Sequence, residues 1–157
     1  MAERIFYITK DKYEELKKEY KELLAVEFKK TKGDIPKIFE SEDLNPEYLN
    51  FQEDLSFLRS RIAELENIIK NHEIIKKPSS GKEKLVGLGA TITVDVDGEK
   101  DEFTITGTLE ANPTLGKISN ESPVGMALIG HKIGEKVKVS PPLETTYTIK
   151  KIKYLSS

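Results

Sequence analysis

Cysteine and tryptophan are absent from the 157 residues, and histidine occurs only twice. Without thiols there is no disulfide and no thiolate metal centre, and a reducing cytoplasm is the expected compartment. His72 and His131 stand apart, without the spacing of a metal site or an acid–base pair. No apolar run approaches the roughly 20 residues that a bilayer crossing needs. The opening Met1-Ala2-Glu3-Arg4-Ile5-Phe6 lacks the basic-then-apolar layout of a secretory signal, so no membrane partner is expected. Charge of one sign is not in excess either: 25 Lys and Arg face 27 Asp and Glu. Bulk electrostatics therefore makes no case for nucleic-acid binding. Gly-rich phosphate loops and nucleophile elbows are missing as well.

What is present changes character once, near Pro78-Ser79-Ser80-Gly81. Before that point charged residues and helical spacing dominate; after it come Gly, Thr, Val and alternation of period two. The fold class expected is α+β: an antiparallel α-helical coiled-coil hairpin over 1–76, a linker at 77–82, and over 83–157 a small antiparallel β-sheet domain wrapped on one short helix. Thr9 is placed to cap a first helix, followed by Asp11, Glu14 and Glu15 beside its positive end. Tyr13, Leu16, Tyr20 and Leu23 form its apolar stripe, which fades beyond Glu27 and is interrupted by Gly33 and Pro36. Ile35, Ile38 and Phe39 are candidates to face the partner helix beyond that point. The second helix starts at Asn45-Pro46-Glu47, with a capping Asn and Pro in the first turn, and extends to about His72. Its seam is Tyr48, Phe51, Leu55, Leu58, Ile62, Leu65 and Ile69, with steps that alternate three and four.

In the second half, Gly89–Val96 alternates cleanly and Asp97-Gly98 signals a tight turn into a return strand carrying Phe103, Ile105 and Gly107. Ser122-Pro123 opens a short helix, Val124 to Ile129, closed by Gly130. Val137 and Val139 mark a third strand. A fourth runs from Thr146 to Tyr154, where Tyr147 and Ile149 lie on one face and Ile152 and Tyr154 on the other. That change of phase predicts a bulge or a switch of buried face.

Between the helices lies an acidic turn, Glu40-Ser41-Glu42-Asp43-Leu44-Asn45-Pro46-Glu47-Tyr48. In the second half stands Ile118-Ser119-Asn120-Glu121-Ser122-Pro123-Val124-Gly125-Met126-Ala127-Leu128-Ile129-Gly130, followed by Lys132, Gly134 and Glu135. Together with Gly87–Val94, Ile152-Lys153-Tyr154-Leu155 and the hairpin's Asn45-Pro46-Glu47-Tyr48 and Arg61-Ile62, these segments resemble the bacterial Gre transcript-cleavage factors along essentially the whole chain. The resemblance implies an FKBP-like second domain and a coiled-coil finger that enters the secondary channel of bacterial RNA polymerase. Such a factor is no enzyme by itself. It stimulates the polymerase to hydrolyse the backtracked RNA 3′ end, and it acts as a monomer.

The resemblance also implies roles for particular residues. The family's acidic tip helps hold a second Mg2+ shared with the polymerase, an ion that demands hard oxygen ligands. Here the tip is two residues shorter than the family's Asp-Leu-x-Glu-Asn-x-Glu-Tyr. Asp43 matches the catalytic Asp when the gap follows Leu44, and Glu42, or else Glu40, then substitutes as the second acid; an ungapped reading places Ser41 and Leu44 there instead. Catalytic and metal-binding roles thus fall to Asp43 and Glu42, while Glu47 matches an acid just inside the helix, where the dipole alone accounts for it. Lys29, Lys30, Lys32 and Lys37 correspond to basic residues that touch the extruded RNA. Arg59 and Arg61 either do the same or pair with Glu residues along their own helix. Glu121, Ser122 and Pro123 match the corner that docks on the polymerase.

Because the tip is short, a channel-binding factor that modulates or inhibits transcription without cleavage is the second reading. A prolyl isomerase built on the second domain would need an aromatic-lined pocket, for which only Phe103, Tyr147 and Tyr154 are on offer. A dimerising coiled-coil scaffold is opposed by Pro36 and the polar first helix.

Overall fold

The computed structural model describes residues 4–33, 46–79, 81–140 and 144–154. These residues divide into two units, one made of 11–33 and 46–71, the other of 4–10 together with 72–154.

The first unit is a pair of helices, α1 (Lys10–Lys32) and α2 (Pro46–Lys70). Cross-helix partners step in opposite directions, Glu19 with Arg61 and Lys30 with Asp54, so the pair is antiparallel. The expected stripe of α1 is the buried side, with Leu16 only 3% exposed and Tyr13, Tyr20 and Leu23 half-buried. Along α2 the expected seam is half-buried at Tyr48, Phe51, Leu55 and Leu58 and buried at Ile62 and Leu65. It then moves to Ile68, leaving Ile69 half-buried. A straight helix turns every 3.6 residues, so a strict heptad cannot stay on one face over seven turns without supercoiling. The helix ends at Lys70, two residues before the expected His72. α1 outlasts its apolar stripe and reaches Lys32, with polar residues in the later seam positions. Ile35, Pro36, Ile38 and Phe39 lie outside the described residues.

The second unit begins with β1 (Phe6–Ile8), which pairs parallel with β2 (His72–Ile74) in the register Phe6↔His72, Tyr7↔Glu73 and Ile8↔Ile74. Its main body is a five-stranded sheet: β3 (Ala90–Val96), β4 (Glu99–Thr106), β5 (Lys117–Ser119), β6 (Lys136–Val139) and β7 (Thr145–Tyr154), in spatial order β5-β4-β3-β7-β6. Asp97 and Gly98 both have positive φ, 52° and 86°, as a primed two-residue turn requires. On β3 the alternate residues Ala90, Ile92 and Val94 are fully buried; with Phe103, Ile105, Val137, Val139 and Ile149 they cover one face. Leu128, from α3 (Pro123–Leu128), is buried in the same cluster.

The phase change in the last strand is a bulge. Thr93 pairs with Lys151 but Val94 with Ile149, so Lys150 is the extra residue, and Ile149 and Ile152 both reach the core side. The expected antiparallel sheet holds for β3, β4, β6 and β7, but β5 joins parallel to β4. A parallel neighbour needs a crossover, and the 3-10 turns Thr108–Glu110 and Pro113–Leu115 supply it. Gly116 ends that crossover in the left-handed region, at φ 74°. Strands of three residues carry too little alternation to register in a sequence.

Candidate functional site

Two regions carry the candidate residues, each combining local capping or periodicity with contacts between distant parts of the chain. In the helical pair the seam turns from apolar to ionic along α1. Glu19 receives two hydrogen bonds from Arg61, Nε to Oε1 at 2.8 Å and Nη2 to Oε2 at 3.0 Å. Glu27 pairs with Arg59 at 3.0 Å, and Lys30 with Asp54 at 3.6 Å, its ammonium 5.6 Å from the Phe51 ring centre. Arg61 also reaches Glu64 on its own helix, at 3.2 Å. Arg59 and Arg61 thus both span the two helices, and Arg61 also makes the expected pairing along α2 through Glu64. Hydrogen bonding from Arg61 holds the Glu19 carboxyl below its ordinary range, and Glu19 in turn raises the guanidinium of Arg61.

The lysine run is divided by this geometry. Lys29 and Lys32 are exposed, whereas Lys30 is drawn into the ionic seam. Lys37, Glu42 and Asp43 lie outside the described residues. Glu47 occupies the first turn of α2, beside the helix's positive end. Among the described residues no group of three or more His, Asp or Glu side chains could hold a metal ion. His131 bonds Glu135 and holds that carboxyl below its usual range; His72 belongs to β2.

The second region is the corner between β5 and α3, where Glu121, Ser122 and Pro123 stand together. Ser122 caps α3: its Oγ accepts from the Gly125 N–H at 3.1 Å and donates to the Ser119 carbonyl at 2.6 Å, while Pro123 fills the first helical position. Gly125 is required sterically, since a Cβ there would sit 2.1 Å from the Ser119 carbonyl oxygen. Next to the cap is a closed ring of hydrogen bonds. The Glu121 N–H donates to Ser119 Oγ at 3.0 Å, Ser119 and Thr108 share a bond of 2.9 Å, and Thr108 donates to Glu121 Oε2 at 2.8 Å. A carboxylate can only accept, so the hydroxyl protons must run from Ser119 to Thr108 and from Thr108 to Glu121. Arg4 Nη2 donates to the same Oε2 at 2.9 Å.

Sequence reasoning found Ser122 and Pro123 through their capping pattern but missed Arg4, Thr108 and Ser119. Arg4 is 117 positions from Glu121. No periodicity links residues so far apart. It also missed Glu110, whose carboxylate accepts from both the N–H and the hydroxyl of Thr9, at 2.8 and 2.7 Å. No described helix is long and apolar enough to cross a membrane.

Residues 81–154 match the family model for the C-terminal part of the transcription elongation factors GreA and GreB, and residues 6–74 match the model for the N-terminal part. The chain is 38% identical over 144 residues to transcription elongation factor GreA of Thermomicrobium roseum, covering 90% of this chain and 92% of that one. With GreA of Bacillus subtilis the identity is 37% over 144 residues, covering 89% and 90%. The crystal structure of GreA factor homolog 1 of Thermus thermophilus superposes with a TM-score of 0.42 at 25% identity, covering 96% of this chain and 99% of that one. With both halves matched and nine-tenths of the chain aligned to curated relatives, this chain belongs to the GreA/GreB family of transcription elongation factors.

Proposed function

We propose that this chain binds bacterial RNA polymerase, inserts its helical pair into the secondary channel and stimulates Mg-dependent cleavage of backtracked RNA by the polymerase itself. The observation that carries the reading is the ionic seam. A two-helix rod whose later seam combines half-buried Phe51, Leu55 and Leu58 with cross-helix ion pairs, down to Lys30–Asp54, presents a charged surface that suits a water-filled channel. Residues 34–45, which hold Asp43 and Glu42, connect the helices at that same end. Two carboxylates are too few for a complete Mg2+ cage but fit an ion whose other ligands belong to a partner. Asp43 and Glu42 would hold that ion, whose role is to stabilise attacking and leaving oxygens. Lys29 and Lys32 meet RNA phosphates, and Glu121, Ser122 and Pro123 dock on the polymerase surface.

The test is transcript cleavage in stalled elongation complexes. The wild-type chain accelerates cleavage; Asp43→Ala abolishes the acceleration at unchanged polymerase affinity, and Glu42→Ala raises the Mg2+ concentration required. The shortened tip favours one second reading, a channel-binding factor that slows transcription without cleavage. Wild-type binding with slower elongation and no cleavage would establish that alternative.

A further inference from the structure

We propose that Arg4 is a positioning residue for polymerase docking: it orients the Glu121 carboxylate so that one oxygen is left for a basic group on the partner. The inference rests on the docking role given to Glu121 above. Both Arg4 and Thr108 bind the same oxygen, Oε2, at 2.9 and 2.8 Å, and among the described residues Oε1 carries no bond. A carboxylate with two donors on one oxygen is restricted in rotation, and its second oxygen keeps a preferred direction. That direction suits a guanidinium or ammonium donor, which forms the shorter, charge-assisted type of bond.

Arg4 is itself fixed. Its guanidinium lies 5.3 Å from the centre of the Phe6 ring, a cation–π arrangement. Phe6 opens β1, held in register by β2, and the Tyr7 carbonyl lies so close to Gly107 that a Cβ there would come within 1.7 Å of it. Gly107 adjoins Thr108, so the strand that follows Arg4 and the turn bearing Thr108 are seated against each other. Both side chains of the Arg4–Glu121 pair are 55% exposed. Exposed pairs of this kind stabilise a fold little. Loss of Arg4 should therefore be felt in binding and not in folding.

The experiment measures affinity of the full chain for core RNA polymerase, with melting temperature and the near-ultraviolet dichroism of the tyrosines as controls. Arg4→Met keeps the stem over Phe6 and removes the charge, while Arg4→Lys keeps the charge. Expected are about tenfold weaker binding for Arg4→Met and for Glu121→Ala, no further loss in the double variant, partial recovery with Arg4→Lys, and unchanged melting. If Glu121→Ala weakens binding while Arg4→Met does not, or if the two losses add in full, the positioning role is overturned and the docking corner stands. If Glu121→Ala binds like wild type, the docking role of Glu121 itself falls, and the inference with it.

Discussion

Arg61 and Glu19 face each other across the helical pair through two near-parallel hydrogen bonds of 2.8 and 3.0 Å. This fork-on-fork contact forms where the seam passes from apolar to charged. Leu16, Ile62 and Leu65 are buried beside it, whereas further along α1 the seam positions hold Glu27 and Lys30. Apolar burial is complete at one end of the pair; along the rest, half-buried Phe51, Leu55 and Leu58 alternate with cross-helix charge pairs.

Replacing Glu19 by Gln tests the contact. Both partners are more than one-third exposed, so solvent screening limits the loss to about 1 kcal/mol at neutral pH. The folded-state value of Glu19 is depressed, chiefly by hydrogen bonding to Arg61. Its contribution is therefore fully present above the ordinary carboxylate value of about 4.3 and is lost as pH falls through the lower folded value. Thermal melts followed by circular dichroism should separate wild type from Glu19→Gln at pH 7 and bring them together near pH 2. An equal gap at both pH values would refute the linkage.

Gly125 should tolerate no side chain. Its would-be Cβ meets backbone, the Ser119 carbonyl at 2.1 Å, and Ser122 Oγ at 3.0 Å, so α3 must shift or the cap must open. Gly125→Ala is expected to destabilise the β-rich unit by about 1–3 kcal/mol. Gly130→Ala, where nothing lies within 4 Å but φ is +91°, should cost only about 1 kcal/mol. Urea unfolding of the two variants orders them. If Gly130→Ala proved the more damaging, backbone strain would outweigh the steric contact.

The lysines of α1 should separate by function. Lys29→Ala and Lys32→Ala are expected to weaken crosslinking to extruded RNA and to flatten its salt dependence by about 0.7 in logarithmic slope per lysine. Lys30→Ala should leave that slope unchanged and lower the melting temperature slightly, because Lys30 is engaged with Asp54 and Phe51. A slope change on removing Lys30 equal to that for Lys32 would place all three on the RNA.

Short-range order alone determined much of this molecule. The α2 seam from Tyr48 to Leu65, the Asp97-Gly98 turn, the Ser122-Pro123 cap and the bulge that lets Ile149 and Ile152 share a face are all written in neighbouring residues. Helix and strand periods, turn conformations and capping bonds act over a few positions, so their signatures survive in the linear chain. Tertiary structure alone decided that β1 adds to β2, that β5 joins its neighbour in parallel, that Arg61 selects Glu19, and that Arg4 and Thr108 hold one oxygen of Glu121. Those contacts depend on where distant backbones pass one another. A single charged atom brought within 3 Å of its partner leaves no repeating pattern by which a sequence could announce it.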